Sequence, residues 1–512
     1  MSVRELVRQL NAVKAIGPIH RYSTLHIRID EDPMFIAFVR MAGESRPWAI
    51  AYGKYSEGAP KVISVPDGRN RNAVMEMCAE LAEEMLEFFR VAGYTWDPIT
   101  KENFSEVLMP QVWVPSSRHV EMFHNLQYAY WRVRKGDDRT QPITVFARLS
   151  GWLFRESTRL GQQVIVDTAK LFRESYVFPA DAASLGHLGT CLKWFDEHED
   201  LNSARFAVRE ATLLRDSPTL DPELDSKIFA PLIEKRNKLN EESKDTSKVD
   251  KQIHENLAAE VTRRWELVKS SYEVFQNDSR DINPGVIDLA GATSESFYSQ
   301  FQRIEVDMQD PDMGPAYTQH PETDFHGSAA AANYFVMTAS DTAYIAKLVH
   351  GDEELQAEAL ASGKAFFADV VNVEDLGSGR TTTPLWTLRV QIGEKLRIRE
   401  GERYSPLKAN KHGIHIRSVE VIDSETLEVT AEWVDRKTVP LDYPIFAKAV
   451  ESEWIGHRMM FVPKDGSEFD KSKSRAVWSA RSGPGSWLTH GSAPTKVEPS
   501  IVDDITQLAG GN

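Results

Sequence analysis

Leu385-Trp-Thr-Leu-Arg-Val-Gln-Ile392 and Leu427-Glu-Val-Thr-Ala-Glu-Trp433 decide how the C-terminal part of this chain is read. Apolar and polar side chains alternate in both, which is the period of a strand that buries one face. Working outward, Phe366 to Val373, Lys395 to Arg399 and Gly413 to Ile422 are further β-branched or aromatic runs, parted by Gly, Asp and Ser. Five such strands predict a small β-barrel, OB-like or SH3-like, within residues 346–480, with 438–480 able to add strands to it.

The same region carries the strongest local charge. From Arg380 to Arg417 there are nine Lys/Arg (Arg380, Arg389, Lys395, Arg397, Arg399, Arg403, Lys408, Lys411, Arg417) against three acids, in a chain whose net charge is -16. Arg397 and Arg399 share one face of a period-2 run, and Arg389 is expected on a neighbouring strand, so guanidinium forks would line a groove for phosphates. Trp386, Tyr404 and His412 or His415 would supply stacking faces, the combination used by single-stranded nucleic-acid grooves. The competing expectation is a salt-bridge lattice with Glu420, Glu425, Glu428 and Glu432, with both tryptophans in the barrel core.

A chain of 512 residues with 41% hydrophobic content can bury several cores. The acidic balance argues against a generally phosphate-coating surface, so any nucleic-acid contact must be local. Two cysteines, Cys78 and Cys191, offer neither a disulfide framework nor a thiolate zinc site, which points to a reducing, cytoplasmic compartment. Met1-Ser-Val-Arg-Glu-Leu6 is charged where a signal peptide needs an apolar core, and no run of about 18 apolar residues occurs, so no membrane association is expected.

Residues 1–140 read as a sheet-and-helix domain. Leu25, Ile27 and Ile29 alternate with polar residues, Phe35 to Arg40 and Trp48 to Tyr52 follow as strands, and Val62 to Val65 ends in Pro66-Asp-Gly68. That predicts an antiparallel meander. Val74, Cys78, Leu81, Met85 and Phe88 put an apolar stripe on a helix over about 70–91 that should cover it. Residues 141–282 read as helical, with Val145 to Phe178 as one long segment and Leu257, Val261, Trp265, Val268, Tyr272 and Phe275 on one helix face; Glu241 to Gln252 is a solvated loop. A mixed connecting region is expected over 283–345 and a disordered Gly/Ser/Pro tail over 481–512, within which Ile501 to Leu508 is a short apolar patch of docking type. The fold class is therefore α+β and multi-domain.

Neither phosphate-loop nor dinucleotide glycine signatures occur, and Ser486 in Gly483-Pro-Gly-Ser-Trp487 sits in the tail rather than on a strand-to-helix elbow. His320, Asp324 and His326 are metal-ligand types within seven residues, but Pro321 and the glycines around them suggest a solvated loop. His119 and His124, five apart, point about 140° apart on a helix and read as ordinary helix histidines. No cofactor is expected. The favoured reading is a non-catalytic binding or scaffolding subunit of a larger assembly, with protein partners and with the 380–417 face engaging nucleic acid or an acidic partner. The rivals are a hydrolase with an unrecognised, metal-dependent site and a structural, oligomer-forming protein.

Overall fold

Met34-Phe-Ile-Ala-Phe-Val39 is buried along its whole length, which only a strand covered on both faces requires. A computed structural model describes residues 3–464, apart from 91–94, 98–101, 105–107, 131–140, 181–183, 288, 291–292, 295–340, 342, 378–382, 393–395, 408–412 and 434–453. In chain order its first half runs α1 (Val3–Ala15), β1 (Ile19–His20), β2 (Met34–Val39), β3 (Ala49–Lys54), β4 (Lys61–Ser64), α2 (Arg71–Arg90), β5 (Thr95–Asp97), β6 (Glu102–Phe104), β7 (Val112–Val114), α3 (Ser117–Tyr130), α4 (Gln141–Ser157), β8 (Ile165–Asp167), α5 (Thr168–Ser175) and β9 (Tyr176–Val177). Then come α6 (Leu188–Lys193), α7 (Leu201–Thr212), α8 (Pro222–Leu224), α9 (Ala230–Glu241) and α10 (Ser247–Gln276).

The sheet order is β4-β3-β2-β7-β8, antiparallel from β4 to β2 and parallel from β2 to β8. The expected antiparallel meander is thus half of a mixed sheet. Phe35 and Phe38, three apart, point to opposite faces. Phe35 meets Trp265 and Tyr272 of α10, and Phe38 meets His119 and Phe123 of α3, so helices cover both sides. One continuous apolar core extends from Leu25 to Phe275 and crosses the border expected near residue 140. The stripe Val74, Cys78, Leu81, Met85 and Phe88 is buried as its spacing implied. Gly151 is needed for the closest helix approach: a Cβ there would stand 2.2 Å from the Gln127 side chain on α3.

Three local expectations change. Leu25 and Ile27 are buried, but the segment makes only a single bridge, Leu25 to Ile282. Its amides are satisfied by side chains instead: Thr24 N donates to Asp352, Arg28 N to Gln163 and Asp30 N to Gln111. The long helical segment 145–178 is broken by β8, and the solvated loop shortens to 242–246, because Val249 and Ile253 already face the core.

After α11 (Glu353–Ala361) the strands β10 (Phe366–Asp375), β11 (Pro384–Gln391), β12 (Arg403–Pro406), β13 (Ile414–Val421), β14 (Thr426–Trp433) and β15 (Arg458–Pro463) close into a barrel in the order β10-β11-β14-β13-β12-β15, every pair antiparallel. The expected small barrel has six strands. Leu396 to Arg399 is extended but joins no ladder; Leu396 and Ile398 pack on the barrel core, and Arg397 N donates to Gly363 O. The strand in its place is β12. The barrel half is tied to the N-terminus by Asp352, which caps α11 through Glu354 N and Leu355 N and also accepts from Ser23 Oγ, Thr24 N and Thr24 Oγ1. Arg4 and Arg8 of α1 add ion pairs to Glu354.

Candidate functional site

Period-2 alternation sorts the barrel's residues before any chemistry does. Trp386, Leu388 and Val390 share the inner face of β11 and are fully buried, while Arg389 and Gln391 point out. Trp386 packs against Trp433 and Trp454 at ring separations of 4.8 and 5.4 Å. Its faces are covered, so it is a core residue and not the stacking platform expected. Tyr404 is likewise 5% exposed, with its ring on Phe366 and its hydroxyl donating to Glu402 at 2.8 Å.

The outer surface is a charge lattice over most of its width. Arg458, Asp369, Arg389, Glu428 and Glu420 stand opposite one another across five consecutive strands. Arg458 reaches Asp369 at 3.8 Å, and Arg389 stands between Asp369 and Glu428. In β13 the register slips between Ile416 and Ser418, so Arg417 is the extra residue of a bulge, which turns its side chain onto Glu432. Arg417 is therefore committed to Glu432, and Arg389 is flanked in register by a carboxylate on either side.

Arg397 and Arg399 differ. Burial alternates from Leu396 to Arg399, so the two guanidinium groups project together into solvent, and neither has an acidic partner among the described residues. Arg403 is exposed at the start of β12, in register with His415. Lys408 and Lys411 lie outside the described residues, as do His320, Asp324 and His326. Among the described residues no group of three or more His, Cys, Asp or Glu is placed to hold a metal, and no helix is long and apolar enough to cross a membrane.

A second opening was not foreseen. A cleft of about 330 Å³ runs along β8, the edge of the sheet, lined by Ser117, Glu121, Arg159, Asp167, Lys170 and Tyr344 among others. Burial pushes the Asp167 carboxyl up to about 6, a value suited to proton exchange near neutrality. Its oxygen already caps α5, however, accepting from Lys170 N at 3.0 Å. Gln162 occupies the free edge of β8, accepting from Val164 N and Ile165 N and donating to Ile165 O. Glu156 is paired with Arg159 at 3.0 Å and Lys170 with Glu174 at 3.7 Å. Most of the cleft's polar groups thus serve the fold. The signal for it was present in Gln162-Gln-Val-Ile-Val-Asp167, but a three-residue strand inside a helical stretch has no period of its own.

The two helix histidines are structural as expected. His119 is fully buried, accepts from Phe38 N at 3.1 Å through Nδ1 and meets Asp216 O at 2.8 Å through Nε2; burial pulls its pKa down to about 3. His124 stacks on Phe154 at 4.4 Å. Compared with known proteins, the chain matches no family model, no curated protein and no solved structure.

Proposed function

We propose that the chain is a non-catalytic binding or scaffolding subunit of a larger cytosolic assembly, and that its barrel engages a polyanion, single-stranded nucleic acid foremost, through Arg397 and Arg399. One observation carries this reading: two adjacent, exposed guanidinium groups without acidic partners among the described residues, in a chain of net charge -16. Leaving like charges unpaired side by side is unfavourable unless an anion joins them, and forked guanidinium groups suit phosphate oxygens. On this reading the barrel serves as an OB-like module, with a contact patch narrower than the whole 380–417 face because Arg417 is paired with Glu432 and Arg389 stands between the carboxylates of Asp369 and Glu428. The cleft beside β8 is the weaker candidate, since its charged groups are largely used in local pairs at the end of α4 and in α5 and in the N-cap of α5.

Fluorescence anisotropy with a labelled single-stranded oligonucleotide, over a salt series beginning near 50 mM, tests it. Two phosphate contacts predict a shallow slope of about -1.4 in log K against log salt. The pair Arg397→Ala/Arg399→Ala should weaken binding at least tenfold, while Arg389→Ala leaves it within twofold. Absence of binding at low salt, or an equal loss in Arg389→Ala, would remove the Arg397/Arg399 pair from consideration.

A further inference from the structure

α1 and α7 border a groove of about 550 Å³ whose lining includes Trp194 and Val208. α1 turns Leu6, Leu10 and Val13 toward it, at the i, i+4, i+7 spacing of one helix face. A helix ordinarily hides such a stripe in the core. Here Ala12 is the residue α1 buries, and Leu6 and Leu10 remain 45% and 52% exposed. α7 contributes Arg205, Arg209 and Thr212 at the same spacing, with Phe206 exposed just outside them. Arg205 and Arg209 are like charges one turn apart, which repel, and no acid among the described residues pairs with either. The groove therefore asks for a helix-spaced apolar stripe accompanied by acids.

The chain itself contains one. Ile501, Ile505 and Leu508 repeat the i, i+4, i+7 spacing, with Asp503 and Asp504 between them and Glu498 just before. We propose that the groove between α1 and α7 takes the segment Ser500–Leu508 of the same chain, its three apolar residues against Leu6, Leu10 and Val13 and its aspartates against Arg205 and Arg209. The 35 residues 465–499 that join this segment to Lys464 reach about 120 Å when extended. A random-coil chain of this length would have a root-mean-square span of about 33 Å, which would give an effective concentration near the millimolar range and let modest contacts hold.

Hydrogen exchange of the full chain, read by mass spectrometry, is the test. Amides 501–508 should exchange at least tenfold more slowly than an unstructured chain of the same sequence, at a rate independent of protein concentration. Leu6→Glu/Leu10→Glu, at exposed positions that the fold does not depend on, should return them to the unstructured rate. Asp503→Lys/Asp504→Lys should do the same, and adding Arg205→Glu/Arg209→Glu should restore protection, which a general unfolding would not. Free exchange of 501–508 in the unaltered chain would overturn the proposal, leaving the groove to another protein. Protection that grows with concentration would overturn it in favour of a second copy, and protection that survives Leu6→Glu/Leu10→Glu would place the segment elsewhere.

Discussion

The five-stranded sheet and the six-stranded barrel solve the same burial problem in opposite ways. The central strand of the sheet, Met34–Val39, is covered on both faces, whereas β11 of the barrel buries Trp386, Leu388 and Val390 and leaves Arg389 and Gln391 in water. A strand with no open face has no position for a charged side chain, so the sheet's openings lie at its edge strand and among its outer helices. The barrel leaves one face of β10, β11, β13 and β14 largely open to water and lines it with charge that alternates from Arg458 through Asp369 and Arg389 to Glu428. The difference teaches that exposed charge on the barrel is abundant but mostly reciprocal, and that the informative groups are those left without a reciprocal partner.

The largest test of this contrast is Trp265→Ala. The indole packs on Phe35 and donates to its carbonyl at 3.1 Å, so its loss should destabilise the sheet half by about 4 kcal/mol, read by calorimetry. The barrel's Trp386–Trp433–Trp454 cluster should keep its near-ultraviolet dichroism until the sheet has melted. Next is Asp352→Ala, which removes the acceptor for five hydrogen bonds, three of them joining the two halves and two capping α11. A cost of about 3 kcal/mol is expected, with the unfolding curve splitting into two transitions; a single unshifted transition would mean that the halves are coupled by other contacts. The smallest effect concerns acid. Burial lowers His26 and His350 to about 4, below the ordinary 6.5 of the unfolded chain. The unfolded form therefore takes up protons first as pH falls, and stability present above pH 6.5 is lost toward pH 4, by roughly 2 kcal/mol per histidine at pH 5. Urea denaturation at pH 7 and 5 should show a shallower loss in His350→Leu.

How far the fold could be read from the residues follows from the same contrast. Barrel strands β10, β11, β13 and β14 announced themselves because one face stays wet and alternation results. Arg403–Pro406 carries no alternation that marks it as a strand, whereas Lys395–Arg399 alternates yet turns Leu396 and Ile398 onto the core without pairing. In the sheet, the meander was legible from its turns, but β7 and β8 have three residues each and pair in parallel with distant strands, which leaves no local pattern. The site was less legible than the fold. A count of arginines along the chain is blind to register, and only pairing brings Asp369 and Glu428 to either side of Arg389. Parity within β11 was enough to place Trp386 with Leu388 and Val390 on the inner face, and it decides against a stacking role.

The Asp352 knot has a temporal side as well. Thr24 and Asp352 are 328 residues apart in sequence, so on a ribosome adding roughly 5–20 residues per second the loop at 23–24 waits about 16–65 s for its acceptor to be made. Throughout that interval the amide of Thr24 and the hydroxyls of Ser23 and Thr24 lack their final partner, and the nascent N-terminal half is held by its own core alone. Synthesis of α11 is then the event that locks the beginning of the chain.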